Sequence, residues 1–195
     1  MSKHTAAIIL AAGASIRLGE PKQLVTLNGE TLLARSLRIA REAGCSPILV
    51  VLGADADRIR AACALPHAHI VVNKEWREGM ATSIRVGIEA LRNFSQTQTS
   101  KAPTGLILMT CDQPAVTPDH LRALAASGDI TASEYAGRRG VPAYFPASAF
   151  AALAQLTGDS GARDLLRDAR AIPLPLGELD IDTPEALAEA QRLFP

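Results

Sequence analysis

An α/β fold built on a mostly parallel sheet is the class this sequence predicts, and three observations predict it. Apolar runs of strand length occur as AAIILAA from Ala6, PILVVLG from Pro47 and GLILMTC from Gly105, each too continuous for a strand with one wet face. Between these runs apolar residues recur at helical spacing, so strand and helix alternate. Repeated in this way, the alternation implies parallel pairing with right-handed crossovers.

The first strand ends in an abrupt change of character. Gly13 and Gly19 bracket a loop poor in large side chains, whose backbone N–H groups are free to meet an anion. Arg17 and Lys22 add two cations to the same segment. A strand running into a glycine-bearing, cationic loop is how open α/β sheets present a phosphate site beyond a strand's carboxyl end. A nucleotide or another polyphosphate is therefore the expected ligand. A Walker A loop is excluded, because Gly19 is followed by Glu20, Pro21 and Lys22. The dinucleotide fingerprint fails too, since Ala14 and Ser15 follow Gly13 and Pro21 interrupts any helix there. A flexible surface loop with two solvated cations is the plain alternative, and the rest of the chain decides between them.

Residues 23–27 read as a short extended piece ending at the Asn28-Gly29 turn. A helix follows over 31–43, with Leu33, Leu37 and Ala40 on one face and Gly44 where a C-terminal cap belongs. Next come a strand at 47–53, a modest helix at 55–64 and a strand at 70–73. A polar connection, Lys74 to Gly79, carries Trp76 and leads into a helix from Met80 to near Asn93, marked by Ile84, Ile88 and Leu91. The segment FSQTQTSKAPTG that follows reads as a variable surface connection. The strand at 105–111 delivers Asp112-Gln113-Pro114, and Thr117-Pro118-Asp119 opens a helix by capping logic. Strands at 130–135 and 141–145 about a Gly137-Arg138-Arg139-Gly140 turn form a late antiparallel hairpin. Helices at 148–156 and 160–169, a strand at 172–176, and a helix opened by Thr183-Pro184-Glu185 and running to the end complete the chain. With no internal repeat, one domain spanning 1–195 is expected.

Composition narrows the partners. Twenty Lys and Arg balance twenty Asp and Glu, so no basic field exists to drive nucleic-acid binding. The N-terminus superficially copies a secretory signal, but cleavage there would separate the first strand from the loop it delivers, and no run reaches a membrane span. Cys45, Cys63 and Cys111 show neither metal-like spacing nor an even disulfide set, so a reducing cytoplasm is expected.

A triphosphate site that does chemistry usually also needs Mg²⁺, held by one or two carboxylates with phosphate oxygens and water. Asp112 is the first candidate, because it follows a buried strand and so reaches the same sheet edge as the Gly13 loop. Asp180 and Asp182, one residue apart in an extended segment, point the same way and supply a second cluster. The simpler assignment of each is a turn or cap aspartate. His4, His67, His69 and His120 have no metal or triad spacing, Ser83 lies in no nucleophile elbow, and Cys111 reads as a buried strand residue.

Six segments in order then carry a resemblance: LAAGASIRLGEPK from Leu10, NKEWREGMATSI from Asn73, CDQP from Cys111, GVPAYF from Gly140, GDSGAR from Gly158 and DIDTPEAL from Asp180. Together they resemble the molybdenum-cofactor nucleotidyltransferases, which join a nucleoside monophosphate to molybdopterin. The resemblance implies a single-domain, three-layer, Rossmann-like nucleotidyltransferase fold. It implies that Leu10, Ala11, Ala12 and Gly13 hold the base and ribose side of the nucleotide, that Arg17 and Lys22 hold its phosphates, and that Gly79 and Ser83 lie along it. Asp112 matches the Mg²⁺ aspartate and Asp182 falls near a second metal ligand. Gly140, Pro142, Gly158, Asp159 and Asp180 fall on the acceptor side. The opening LAAG is similar to the cytidylyltransferase branch, where the guanylyltransferase branch tends to have LAGG, so CTP is the implied nucleotide. The implied client is a molybdoenzyme or its chaperone. Two departures stand out: Val141 occupies a position where many cytidylyltransferases have His, and Ala186 replaces an acid. The same transfer with GTP or to another acceptor, such as a sugar phosphate, is the enzymatic alternative. A non-catalytic nucleotide sensor or cofactor carrier is the alternative from another class.

Overall fold

The first strand, β1 (Thr5–Ala11), is buried along its whole length. Its neighbours explain why: Ala7, Ile9 and Ala11 pack into one apolar cluster, and Ala6, Ile8 and Leu10 into another on the opposite face. The computed structural model that shows this describes residues 4–97, 102–159 and 161–194. A short hairpin of β2 (Thr26–Leu27) and β3 (Glu30–Thr31) turns at Asn28 and Gly29, both with positive φ, which the asparagine-glycine pair tolerates. Helix α1 (Leu32–Glu42) starts where Thr31 Oγ1 accepts from the Ala34 N–H, and Gly44 at φ +85° follows its end.

The chain continues through β4 (Ile48–Leu52), α2 (Ala56–Ala62), β5 (Ala68–Val72) and α3 (Met80–Thr97) to β6 (Gly105–Thr110) and α4 (Pro118–Ala126). Then come β7 (Thr131–Tyr135), β8 (Arg138–Pro146), the single-turn helices α5 (Phe150–Leu153) and α6 (Arg163–Leu166), β9 (Arg170–Pro173) and α7 (Pro184–Leu193). Among the described residues seven strands form one sheet in the order β5-β4-β1-β6-β8-β7-β9. β1 pairs in parallel with β4 and β6, whereas β8 is antiparallel to both its neighbours. The late hairpin therefore extends the parallel sheet. Helices α1 and α4 cover one face and α3, α5 and α6 the other, which gives three layers. A third apolar cluster, built on Val25, Leu27, Leu32, Ile181 and Ala190, fastens α7 to the β2–β3 hairpin.

Four expectations are corrected. Helix α3 runs to Thr97, beyond Asn93, because the Phe94 ring lies 4.4 Å from that of His69 on the edge strand and the Ser95 hydroxyl donates to the Leu91 carbonyl. Tertiary contact there outweighs a polar sequence; residues 98–101 of the expected surface connection lie outside the described residues. The hairpin turns at Ala136-Gly137, so Arg138 and Arg139 belong to β8. The helices expected at 148–156 and 160–169 shrink to single turns, with Gly158 and Gly161 at positive φ between them; Ser160 lies outside the described residues. The late strand is centred earlier, at β9, since Leu176 turns to φ +62°.

Candidate active site

A cavity of about 500 Å³ opens at the carboxyl ends of β1 and β6. Its lining includes Leu10, Ala11, Ala12, Gly13, Lys22, Gly79, Ser83, Asp112 and Asp159, all singled out from the sequence. The two regions meet because β1 and β6 are adjacent and parallel, so the Gly13 loop and Asp112 leave the sheet at the same edge. Ala12 is held as a wall. Its carbonyl accepts from the Ala54 N–H at 3.0 Å, and Gly53 packs so closely that a Cβ there would come within 2.9 Å of the Ala12 methyl.

Charge is concentrated beside this wall. The Lys22 ammonium donates to Asp112 Oδ2 at 2.7 Å and also to Asp182 Oδ1. Arg17, 71% exposed at its side chain, pairs with Asp182 Oδ2 at 2.7 Å and does not line the cavity. Two carboxylates thus converge on one cationic group whose own side chain is only 14% exposed. Burial alone would lower the Lys22 pKa, but the charges and hydrogen bonds of Asp112 and Asp182 outweigh it and raise the pKa well above the ordinary value. Asp180 is pushed up to about 6, chiefly by burial and then by the charges of Asp112 and Asp182.

Backbone hydrogen bonds explain how distant aspartates meet. The Ile181 N–H donates to the Asp112 carbonyl at 2.9 Å, and Ile181 itself is fully buried in the third apolar cluster. Gln113, also buried, donates to the Gly177 carbonyl at 3.1 Å. From α1, the Arg35 guanidinium holds the Pro114 carbonyl at 2.7 Å. The Asp112 turn is therefore gripped from both sides.

The donor set fits a divalent cation. Asp112 Oδ1 is buried and has no hydrogen-bond partner among the described residues, while its other oxygen and Asp182 already converge on a cation. Among the described residues no group of three or more His, Cys, Asp or Glu side chains is arranged as a metal cluster. A hard cation at Asp112 and Asp182 would accordingly complete its shell with phosphate oxygens and water.

The acceptor-side expectations divide. Asp159 lines the cavity and its Oδ1 accepts from the Met80 N–H at 3.3 Å, and exposed Gly158 lies against Gly79, where a Cβ would approach its carbonyl to 2.9 Å. Asp180 sits near the carboxylate pair without lining the cavity. Gly140 and Pro142 do not line it either: both lie in β8, and the buried Pro142 carbonyl accepts from Ser133 Oγ at 2.6 Å. Sequence reasoning missed Gln23, Trp76, Arg77, Glu78, Met80 and Thr110 in the lining. Gln23 is buried and its amide donates to the Ala11 and Gly13 carbonyls at 2.7 and 3.1 Å, which fixes the loop. Its place directly after Lys22 was the available signal.

Residues 7–173 match the family model described as the MobA-like NTP transferase domain. The chain is 32% identical over 172 residues to nicotine blue oxidoreductase of Paenarthrobacter nicotinovorans, covering 82% of this chain and 80% of that protein. It is 30% identical over 200 residues to purine catabolism protein PucB of Bacillus subtilis, covering 94% of each. The solved structure of Rv0371c from Mycobacterium tuberculosis is similar at 31% identity with a TM-score of 0.81, covering 98% of this chain and 100% of that one. The same protein has also been solved in complex with manganese. The chain belongs to the MobA-like NTP transferase family and is a nucleotidyltransferase.

Proposed function

We propose that this MobA-like nucleotidyltransferase transfers CMP from CTP to the phosphate of a molybdopterin-type acceptor, with Mg²⁺, giving the cytosine dinucleotide and pyrophosphate. The observation that carries the reading is the convergence of Lys22, Asp112 and Asp182 beside the Gly13 loop at the strand ends. An acceptor phosphate oxygen forms a bond to the α-phosphorus as the bond to the bridging β-phosphate oxygen breaks, and pyrophosphate carries that electron pair away. The chain's part is to position two anions that repel each other and to neutralise the charge that builds on the leaving group. Lys22, which lines the cavity with its ammonium on Asp112 and Asp182, is the cation offered to the phosphates, and Arg17 adds a second at Asp182. Asp112 and Asp182 would hold Mg²⁺, which when bound supplies charge neutralisation and a template for the phosphate oxygens.

CTP is favoured by the LAAG opening and by the wall it builds: Ala12 lines the cavity and, pressed by Gly53, has no room to recede from a larger base. For the acceptor, the Gly158-Asp159 turn packs on Gly79, so a molecule held by that turn would adjoin the nucleotide. An oxidoreductase name among the relatives has no dinucleotide fingerprint behind it here, because Ala14 and Ser15 follow Gly13. The test is pyrophosphate release with a molybdopterin-type acceptor, comparing CTP with GTP and the acceptor with a sugar phosphate. Preference for GTP removes the cytidylyl assignment, preference for the sugar phosphate removes the acceptor, and release with no combination removes the transfer reaction.

A further inference from the structure

Ser83 stands in the first turn of α3, lines the cavity and is only 4% exposed. Its hydroxyl has one hydrogen and accepts through lone pairs, so what it offers a ligand depends on what the protein has already taken. Asn73, 1% exposed and behind the wall, takes the lone pair: its Nδ2 donates to Ser83 Oγ at 2.9 Å and to Thr82 Oγ1 at 2.8 Å. The orientation of this amide is fixed, because Asn73 Oδ1 accepts from the Glu75 N–H at 2.9 Å and only an oxygen accepts there.

A helical serine ordinarily turns its proton back to the carbonyl four residues earlier, which here is Gly79. Here the hydroxyl found at that carbonyl is instead that of Thr82, which donates to it at 2.9 Å and shares its proton with the Glu75 carbonyl at 3.1 Å. Among the described residues no protein acceptor receives the Ser83 proton. It is left as a donor at the cavity wall. Asn73 follows β5 and Asp112 follows β6, three strand spacings or about 14 Å apart across the sheet. Ser83 therefore lies toward the base end of a nucleotide whose phosphates face Lys22 and Asp112.

We propose that Asn73, with Thr82, is a positioning residue that makes Ser83 an obligate hydrogen-bond donor to the nucleobase, so that the site requires a carbonyl oxygen or ring nitrogen acceptor at that edge. The inference rests on the nucleotidyltransferase reading and adds the means by which the base is recognised. Asn73→Asp keeps the shape and the bond from the Glu75 N–H but replaces the donor with a carboxylate, which draws the Ser83 proton to itself and turns an oxygen lone pair toward the ligand.

The experiment is calorimetric titration of the whole protein with CTP and, as a probe lacking a base, with tripolyphosphate. Asn73→Asp is expected to weaken CTP by about tenfold to a hundredfold while leaving tripolyphosphate unchanged. In turnover it should raise KM and spare kcat, since the lost contact is equal in ground and transition states. In a Ser83→Ala background Asn73→Asp should have no further effect on CTP. Thr82→Val, which frees the Gly79 carbonyl for the Ser83 proton, should reproduce the selective loss and serves if Asn73→Asp does not fold. An equal loss of tripolyphosphate, an undiminished effect without Ser83, or unchanged CTP binding by Thr82→Val overturns the inference and leaves the transfer reaction standing. A wild-type protein that binds no nucleoside triphosphate overturns both.

Discussion

Replacing Lys22 by methionine removes the cation that Asp112 and Asp182 share while keeping the length of the side chain. Lys22 and Asp112 are 14% and 13% exposed at their side chains, so their pair behaves as a largely buried one. Removing one member of a buried pair costs about 3–5 kcal/mol because the other charge is left behind. Asp182 is 28% exposed and keeps Arg17, which places the expected loss near the lower end, about 3 kcal/mol. For a chain of this size that corresponds to a fall of about 6–12 °C in Tm. The sign with pH is clear: the folded Lys22 pKa lies above its unfolded value, so its contribution is complete at neutral pH and is lost only as the ammonium deprotonates in strongly alkaline solution. Asp112→Asn alone, which leaves Lys22 bound to Asp182, should cost about 1–2 kcal/mol. An asparagine needs no cation, so the double variant should lose about 2 kcal/mol less than the sum. Urea unfolding of the four proteins without divalent metal measures this coupling. Additivity to within about 0.5 kcal/mol would refute the argument that Lys22 and Asp112 act as one buried pair.

The other expectations concern the nucleotide, the metal and pH. Asp112→Asn should fold yet lose Mg²⁺-dependent pyrophosphate release by about 10²–10³-fold, and near-normal release would remove Asp112 from the metal site. Lys22→Ala should weaken CTP more than CMP in calorimetric titration, because a cation aimed at the outer phosphates has little to meet in the monophosphate; equal losses would place it nearer the base or α-phosphate. Ala12→Gly should narrow a CTP preference over GTP that this one contact sets at about 10–200-fold, read from competition at constant acceptor, and an unchanged ratio would show that the wall does not bound the base. His120 is buried, which lowers its pKa, and its Nε2–H donates to Ser133 Oγ at 2.7 Å, the Ser133 proton being given to Pro142. Since the unfolded histidine binds its proton more readily, this group costs nothing above its ordinary pKa of about 6.5 and destabilises as pH falls below it. The wild type should accordingly lose more melting temperature between pH 7 and pH 5 than His120→Gln does, and parallel curves would exclude the effect.

What the sequence by itself determined is local. Continuous apolar runs sufficed for β1, β4 and β6, because a strand buried on both faces must be apolar at every position. Thr117 and Thr183 opened their helices as capping chemistry requires, each accepting an N–H from three residues on. Parallel alternation then placed the Gly13 loop and Asp112 at one edge, so the core of the site was legible before any contact was known.

Only the tertiary structure decided the rest, and the reason is that its determinants lie far apart in the chain. Asp182 reaches Lys22 because Ile181 is buried against the β2–β3 hairpin and its N–H is bound to the Asp112 carbonyl, neither of which leaves a periodic signature. Gln113, Gln23 and Asn73 do their work as buried amides, where a sequence shows an ordinary polar residue and no partner. Gly140 and Pro142 share a matched segment with the site but are taken by β8 into the sheet. Periodicity records which face of an element is apolar; which distant polar groups that burial brings within hydrogen-bonding distance is settled only when the layers close.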